Sequence, residues 1–261
     1  DIMGGDNSPD ATLNGAYLAS KELGKKETIV LVGDEKLAKS WLKSNNINSS
    51  IFEFIHADEV ISMNEHATKA LRKKPNNSIS VGFNALKNKE IDVFSSAGNS
   101  GAMLVGSMFS IGPIKGVIRP SITSVLPKKN GGVGLILDVG VNADCKPDVL
   151  FQFAILGSLF AENVYNIQKP KVGLLNIGEE KGKGNLLTQS TFQLLEDNDD
   201  INFVGNVEGR DLFNDKADVV VCDGFTGNVV LKLAESFYSL INQKNNLNNV
   251  TVINSCAVTE E

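Results

Sequence analysis

Histidine occurs only twice in these 261 residues, at 56 and 66, and cysteine and arginine three times each. No apolar run reaches the roughly 18 residues of a membrane-spanning helix. With so little histidine, and none beside a candidate nucleophile, the chain lacks the Ser–His–Asp and Cys–His patterns of covalent hydrolases. Cys145, Cys222 and Cys256 show no metal-ligand spacing, which points to a reducing cytoplasm rather than a zinc site or a disulfide framework. The net charge is −6 and the lysines are scattered, so no clustered positive surface for nucleic acid is expected. No charged-then-apolar leader is present, and the opening on Asp1 without Met suggests a clipped start.

What is present is a hydrophobic content of 42%, enough at this length for a substantial core in one domain or two tightly packed ones. Strand and helix signals alternate along it. Ser8-Pro9 reads as the N-cap and first position of a helix ending at Gly24. Strands are expected at 28–32, 51–55, 91–94, 133–137, 172–175, 203–204 and 219–222. Helices are expected at 35–44, 80–89, 148–165, 186–196 and 229–241. Such βα repetition implies an α/β three-layer sandwich with a mainly parallel sheet. The Asn/Lys-rich stretch 242–249 reads as a solvated linker, dividing a 1–241 domain from a 242–261 tail.

Three glycine-rich polar turns stand out, at 95–101, 176–185 and 223–228. Each follows an apolar run and precedes a helical pattern, so each is expected to set backbone N–H groups and a helix N-terminus at the carboxyl edge of a sheet. Together they read as one anion site. Gly98, Asn99, Ser100 and Gly101 would cradle phosphate, although a plain tight turn explains the glycines equally well. Lys183, between Gly182 and Gly184 and just before a helix with Asn185, places a cation where only a bound anion makes it favourable. A solvated loop lysine is the bland alternative. Arg119 and Arg210 stand out in a lysine-using chain as planar bidentate groups, Arg210 with the alternative of pairing with Glu208 or Asp211. Asp138, Asn142 and Asp144 form a polar cluster after a buried-looking strand, with a divalent metal the less favoured use. Asp223 ends another strand, and Asn228 would cap the helix after it or touch the anion. Cys145 and Cys222 read as packing residues.

The segments DIMGGDNSP (1–9), SSAGNSGA (95–102), IRPSITSVLP (118–127), LILDVGVNADCKPDVLFQFA (135–154), VGLLNIGEEKGKGN (172–185), FVGNVEGRDLF (203–213) and DVVVCDGFTGNVVLK (218–232) closely resemble the phosphate acyltransferases of bacterial phospholipid synthesis. The resemblance implies acyl transfer from acyl carrier protein to inorganic phosphate on a fold similar to isocitrate dehydrogenase and phosphotransacetylase. It also implies a cytoplasmic homodimer working peripherally at the inner membrane face beside a membrane acyltransferase, with no metal or cofactor. On this reading Lys183, Asn185 and Asn99 carry the chemistry. Gly98, Ser100, Gly101, Arg119, Asp138, Asn142, Asn206, Arg210, Asp223 and Asn228 bind phosphate or substrate.

The ending 250–261 does not match the family, so terminal strands are expected to be missing. A phosphotransacetylase-like enzyme using a short acyl-CoA and a non-catalytic remnant are the alternatives. A dehydrogenase would want a Gly-x-Gly-x-x-Gly element that is not evident. Acyl carrier protein is acidic, so the pairs Lys128/Lys129 and Lys181/Lys183 are the expected docking cations. Leu233, Phe237, Leu240 and Ile241 share a helix side, read first as a core or dimer face and second as a lipid contact.

Overall fold

The structure is a computed structural model that describes residues 1–24 and 26–245. It divides into two compact units, Asp1–Pro113 and from Ile114 onward.

In the first unit, β1 (Ile29–Gly33) and β2 (Phe52–His56) pair in parallel. Successive strand residues face opposite sides. Leu31 therefore packs with Leu13 of α1 (Asp10–Glu22) and with Ala38 and Leu42 of α2 (Glu35–Ser44). Val32 faces α3 (Ala67–Lys73), α4 (Ser78–Lys87) and α5 (Ser100–Ser110), through Ala70, Ile79, Phe83 and Ala102. Two sequence expectations are corrected here. Residues 91–94 form no strand; Asp92 and Val93 are exposed there, and the Asp1 amine bonds past them to Ser95 O at 2.9 Å. Nor does Ser8 cap α1. Its hydroxyl donates to Met3 O at 3.1 Å, and Pro9 takes the cap position.

The second unit holds five strands in the order β3-β4-β7-β5-β6. They are β3 (Thr123–Pro127), β4 (Val133–Leu137), β5 (Val172–Leu175), β6 (Phe203–Val207) and β7 (Val219–Val221). All neighbours are parallel except β3, which runs antiparallel to β4 at the edge, where Pro127 is tolerated. One face carries Leu135, Leu137, Val172, Leu174, Val219 and Val221 against α6 (Pro147–Tyr165) and α7 (Leu186–Glu196). The other carries Ile136, Val207, Val220 and Cys222 against Val230 and Leu231 of α8 (Gly224–Asn245). These are three layers around a mainly parallel sheet. The helix expected from 229 begins at Gly224 instead and runs through 242–245, where a linker was expected; the rest of the 242–261 tail lies outside the described residues.

Lys128 is not a docking cation. Its side chain is 4% exposed, and its ammonium donates to Ala217 O at 2.8 Å and Asp218 Oδ1 at 2.7 Å. Burial would raise the Asp218 carboxyl, but the Lys128 ammonium and the Lys171 N–H outweigh it and hold it below the usual value. Lys128→Met leaves that partly exposed carboxylate with the Lys171 N–H alone of these two donors, and is expected to lower stability at pH 7 by about 1–3 kcal/mol, less than for a fully buried pair. A depressed carboxyl stabilises above its unfolded pKa of about 3.9 and loses this contribution as pH falls through its folded value. The gap between wild type and variant in urea denaturation should therefore close below about pH 4.

Candidate functional site

The chain leaves β7 toward α8 on one face, while its neighbours β4 and β5 lead to α6 and α7 on the other. Adjacent strands with helices on opposite faces open a crevice at their carboxyl ends. A cleft of about 450 Å³ lies there, lined among others by Leu174, Asn176, Asn185, Thr188, Asp223 and Thr226. Two of the three glycine-rich turns meet at this cleft; the 95–101 turn belongs to the first unit.

The 176–185 turn is held at several points. Asn185 is the N-cap of α7, accepting the Thr188 N–H at 2.9 Å. Gly184 has φ +90°, and a Cβ there would land on Thr188 Oγ1 and Asn176 Oδ1, so no other residue fits without movement. Asn206, 2% exposed, donates to Glu180 O at 3.0 Å and accepts from Asn176 Nδ2 at 3.1 Å. Lys183 is exposed, and among the described residues its ammonium has no ion-pair partner. It lines a neighbouring cleft of about 410 Å³ with Ile177, Glu179, Glu180, Glu208 and Arg210.

The charges in that second cleft are largely paired. Arg210 forms an ion pair with Glu208 and approaches Glu179 at 3.9 Å, while Asp211 belongs to Lys216, 3.1 Å away. Lys216 also reaches Glu179 at 2.8 Å. Glu179, Glu208 and Asp211 bring carboxylate oxygens within 4.8 Å of one another, but Lys216 and Arg210 supply the countercharge.

Asp138, bonded through its N–H to the O of the cleft-lining Cys222, is fully buried and its carboxylate accepts four hydrogen bonds. The donors are Ile122 N–H at 3.1 Å, Val141 N–H at 3.4 Å, and Asn142 through its N–H at 2.6 Å and its amide at 2.8 Å. The Asn142 amide also donates to Pro120 O at 2.8 Å. Asp138 and Asn142 thus build the turn on which α8 rests. The first turn of that helix is capped by Asp223, which accepts from Thr226 N–H at 2.9 Å and from its hydroxyl at 2.8 Å. Asn228 lies inside the helix, so it is not the cap that its sequence position suggested. Its side chain borders Gly140. Arg119, exposed, donates to Asp144 O at 3.0 Å. Burial, with Asp138 and Asp223 adding negative charge, pushes the Cys145 thiol up to about 11 and moves Cys222 the same way, as expected of packing thiols.

In the first unit Asn99 is buried at the N-cap of α5. Its Oδ1 accepts from Ala102 N–H at 3.0 Å, and its Nδ2 lies 3.2, 3.1 and 3.0 Å from the carbonyl oxygens of Ser62, Met63 and Glu65. Gly98 N–H is taken by Ser96 Oγ at 3.0 Å, while Ser100 and Gly101 are exposed at the helix start. Asn99→Ala removes the cap and the tie to 62–65 together, and is expected to cost about 2–3 kcal/mol in chemical denaturation. Unchanged stability would mean that the amide is not committed to the fold. Of the expected docking lysines, Lys181 pairs with Glu196, leaving Lys129 and Lys183 exposed. Asn176, Thr188 and Thr226 line the first cleft and were not singled out from sequence. A polar residue directly after the wholly buried run 172–175 was the available signal for Asn176.

Residues 1–246 match the family model described as fatty acid synthesis protein. A phosphate acyltransferase of Dictyoglomus turgidum is 46% identical over 235 residues, covering 90% of this chain and 69% of its own. One of Acetivibrio thermocellus is 48% identical over 245 residues, covering 92% and 71%. Among solved structures, the EutD phosphotransacetylase of Staphylococcus aureus superposes with TM-score 0.62 at 16% identity, over 87% of this chain and 80% of that one. A branched-chain phosphotransacylase of Enterococcus faecalis gives TM-score 0.63 at 16% identity, over 90% and 83%. At that identity the likeness is one of fold.

Proposed function

Because the chain belongs to the phosphate acyltransferase family, an enzyme family transferring acyl groups to phosphate, we propose that its donor is the fatty acyl thioester of acyl carrier protein and that the acyl phosphate formed feeds phospholipid synthesis. A phosphate oxygen attacks the thioester carbonyl carbon, the new C–O bond forms and the C–S bond breaks. The proton left by the attacking phosphate ends on the carrier thiol. Phosphate is already nucleophilic near neutral pH, so the protein's task is to hold the anion, stabilise the tetrahedral oxyanion and receive the departing thiolate.

The observation that carries this reading is Lys183, an ammonium without an ion-pair partner among the described residues, on a turn pinned at the switch point of a parallel sheet. It supplies the mobile positive charge for phosphate or thiolate. Asn185, Thr188 and the start of α7 supply neutral polar groups beside it. The exposed Phe225, Val229, Leu233 and Phe237, four residues apart on α8, support a second copy of the chain against that face. We place the enzyme in the cytoplasm, peripheral to the inner membrane face; no helix among the described residues is long and apolar enough to cross a membrane.

Acyl carrier thioester, short acyl-CoA and NAD-linked substrates, offered in parallel with and without phosphate, test the donor. Phosphate-dependent consumption of the carrier thioester at the highest kcat/KM is expected. Preference for a short acyl-CoA would assign the chain to the phosphotransacetylase reaction instead.

A further inference from the structure

We propose that Asn176 is a positioning residue for the transfer, acting through Lys183 by an amide relay across the carboxyl ends of β5 and β6; this rests on the role given to Lys183 above. Asn176 is the first residue after β5. Its Nδ2 donates to Lys183 O and to Asn206 Oδ1, both at 3.1 Å, and its Oδ1 accepts the Ile177 N–H at 2.8 Å. Asn206, near the end of β6, passes the relay on through its own Nδ2 to Glu180 O at 3.0 Å. Glu180 O also accepts the Lys183 N–H at 3.0 Å. Two buried strand ends thus grip one turn, 180–183, from both sides.

The chemistry of the side chain fits the task. The relay needs two donors and one acceptor on a single planar group, which a carboxamide offers and a carboxylate does not. The grip is also local. Gly184 leaves the space that its Cβ would fill to Asn176 Oδ1 and Thr188 Oγ1, so the carboxamide lies directly against the backbone that carries Lys183. Gln189 adds a tie from α7, donating to Gly182 O at 2.9 Å and Gly184 O at 3.2 Å. Without Asn176 the turn keeps that anchor but loses its register on the sheet, and the Lys183 ammonium is no longer held over one point.

The test is a double-mutant cycle on the full chain, read as kcat at saturating carrier thioester and phosphate. Asn176→Ala is expected to lower kcat by about 10- to 100-fold, the range of a small misplacement at a reacting centre, with a fall of a few degrees in melting temperature for the lost bonds. In the Lys183→Ala background the same change should cost nothing further. Asn176→Asp, an isostere that sets oxygen against Lys183 O and Asn206 Oδ1, should match the alanine variant. Additive losses, or full activity in Asn176→Ala, overturn the relay while leaving Lys183 in place. Full activity in Lys183→Ala overturns the function of Lys183 and the relay together. Unfolding of both Asn176 variants would show a purely structural amide and also overturn it.

Discussion

Lys183→Ala is expected to lower kcat by about two to three powers of ten while leaving the melting temperature within a degree or so of wild type. The size follows from the loss of one preorganised charge where negative charge develops, a site at which the water replacing it must reorganise during the reaction. The selectivity follows from position: the side chain is exposed, takes part in no ion pair among the described residues, and its backbone bonds to Glu180 and Asn176 survive the substitution. Lys183→Arg keeps the charge but changes its shape and reach, and should fall between the two. Steady-state rates at saturating phosphate, beside a thermal melt, decide the matter. An alanine variant as fast as wild type would remove Lys183 from the mechanism.

Gly227→Ala should be the most damaging single methyl group in the second unit. Gly227 lies in the first turn of α8, its N–H bonded to Asp223 O at 3.0 Å, and a Cβ there would land on the Asp138 carbonyl oxygen. Cys222 Sγ would stand 3.0 Å away on another side. The main obstacle is backbone, held in turn by the four hydrogen bonds that the Asp138 carboxylate accepts, so it cannot yield by a rotamer change. Overpacking of this kind costs about 3 kcal/mol, the upper part of its usual range. In a protein of this size that is roughly 6–12 °C in melting temperature. Activity should fall as well, because α8 and the 138–142 turn carry Asp223 and Thr226 at the cleft. A variant melting like wild type would mean that α8 does not rest on Asp138.

Sequence was most readable where one periodicity acted alone. Runs such as 133–137 and 172–175 are buried on both faces and bounded by glycine and polar residues, and they appear as β4 and β5 with the expected limits. It misled where a tertiary neighbour decided the outcome. Residues 91–94 have strand composition but join no ladder, with Asp92 and Val93 exposed, and β3 is an edge strand between prolines, with little continuous apolar pattern. The stretch 223–228 reads as a loop because of its glycines. In the structure those glycines open a helix: a Cβ on Gly224 would stand 2.8 Å from Asn142 N and Asp138 Oδ2, and one on Gly227 would land on Asp138 O, so both are set by close approach to the 138–142 turn.

The same logic runs through the site. The 176–185 and 223–228 turns share a cleft because β5 and β7 are neighbours, although β6 lies between them in sequence. Lys183 stands out in sequence through its flanking glycines. Asn176 does not, since its bond to Asn206 depends on β6 lying beside β5, a pairing across thirty residues that no local pattern reveals. Lys128 was misread for the converse reason. Its charge looks available in sequence, yet the fold brings Asp218 to it from ninety residues away.

The most direct measurement is product balance with isotopically labelled inorganic phosphate and acyl carrier thioester as the only substrates. One labelled acyl phosphate should appear for every carrier thiol released, with no thiol released when phosphate is omitted and about a hundredfold or greater slowing of both products in Lys183→Ala. Thiol release without phosphate, or release that outruns acyl phosphate formation, would identify a hydrolase and contradict phosphate as the acceptor.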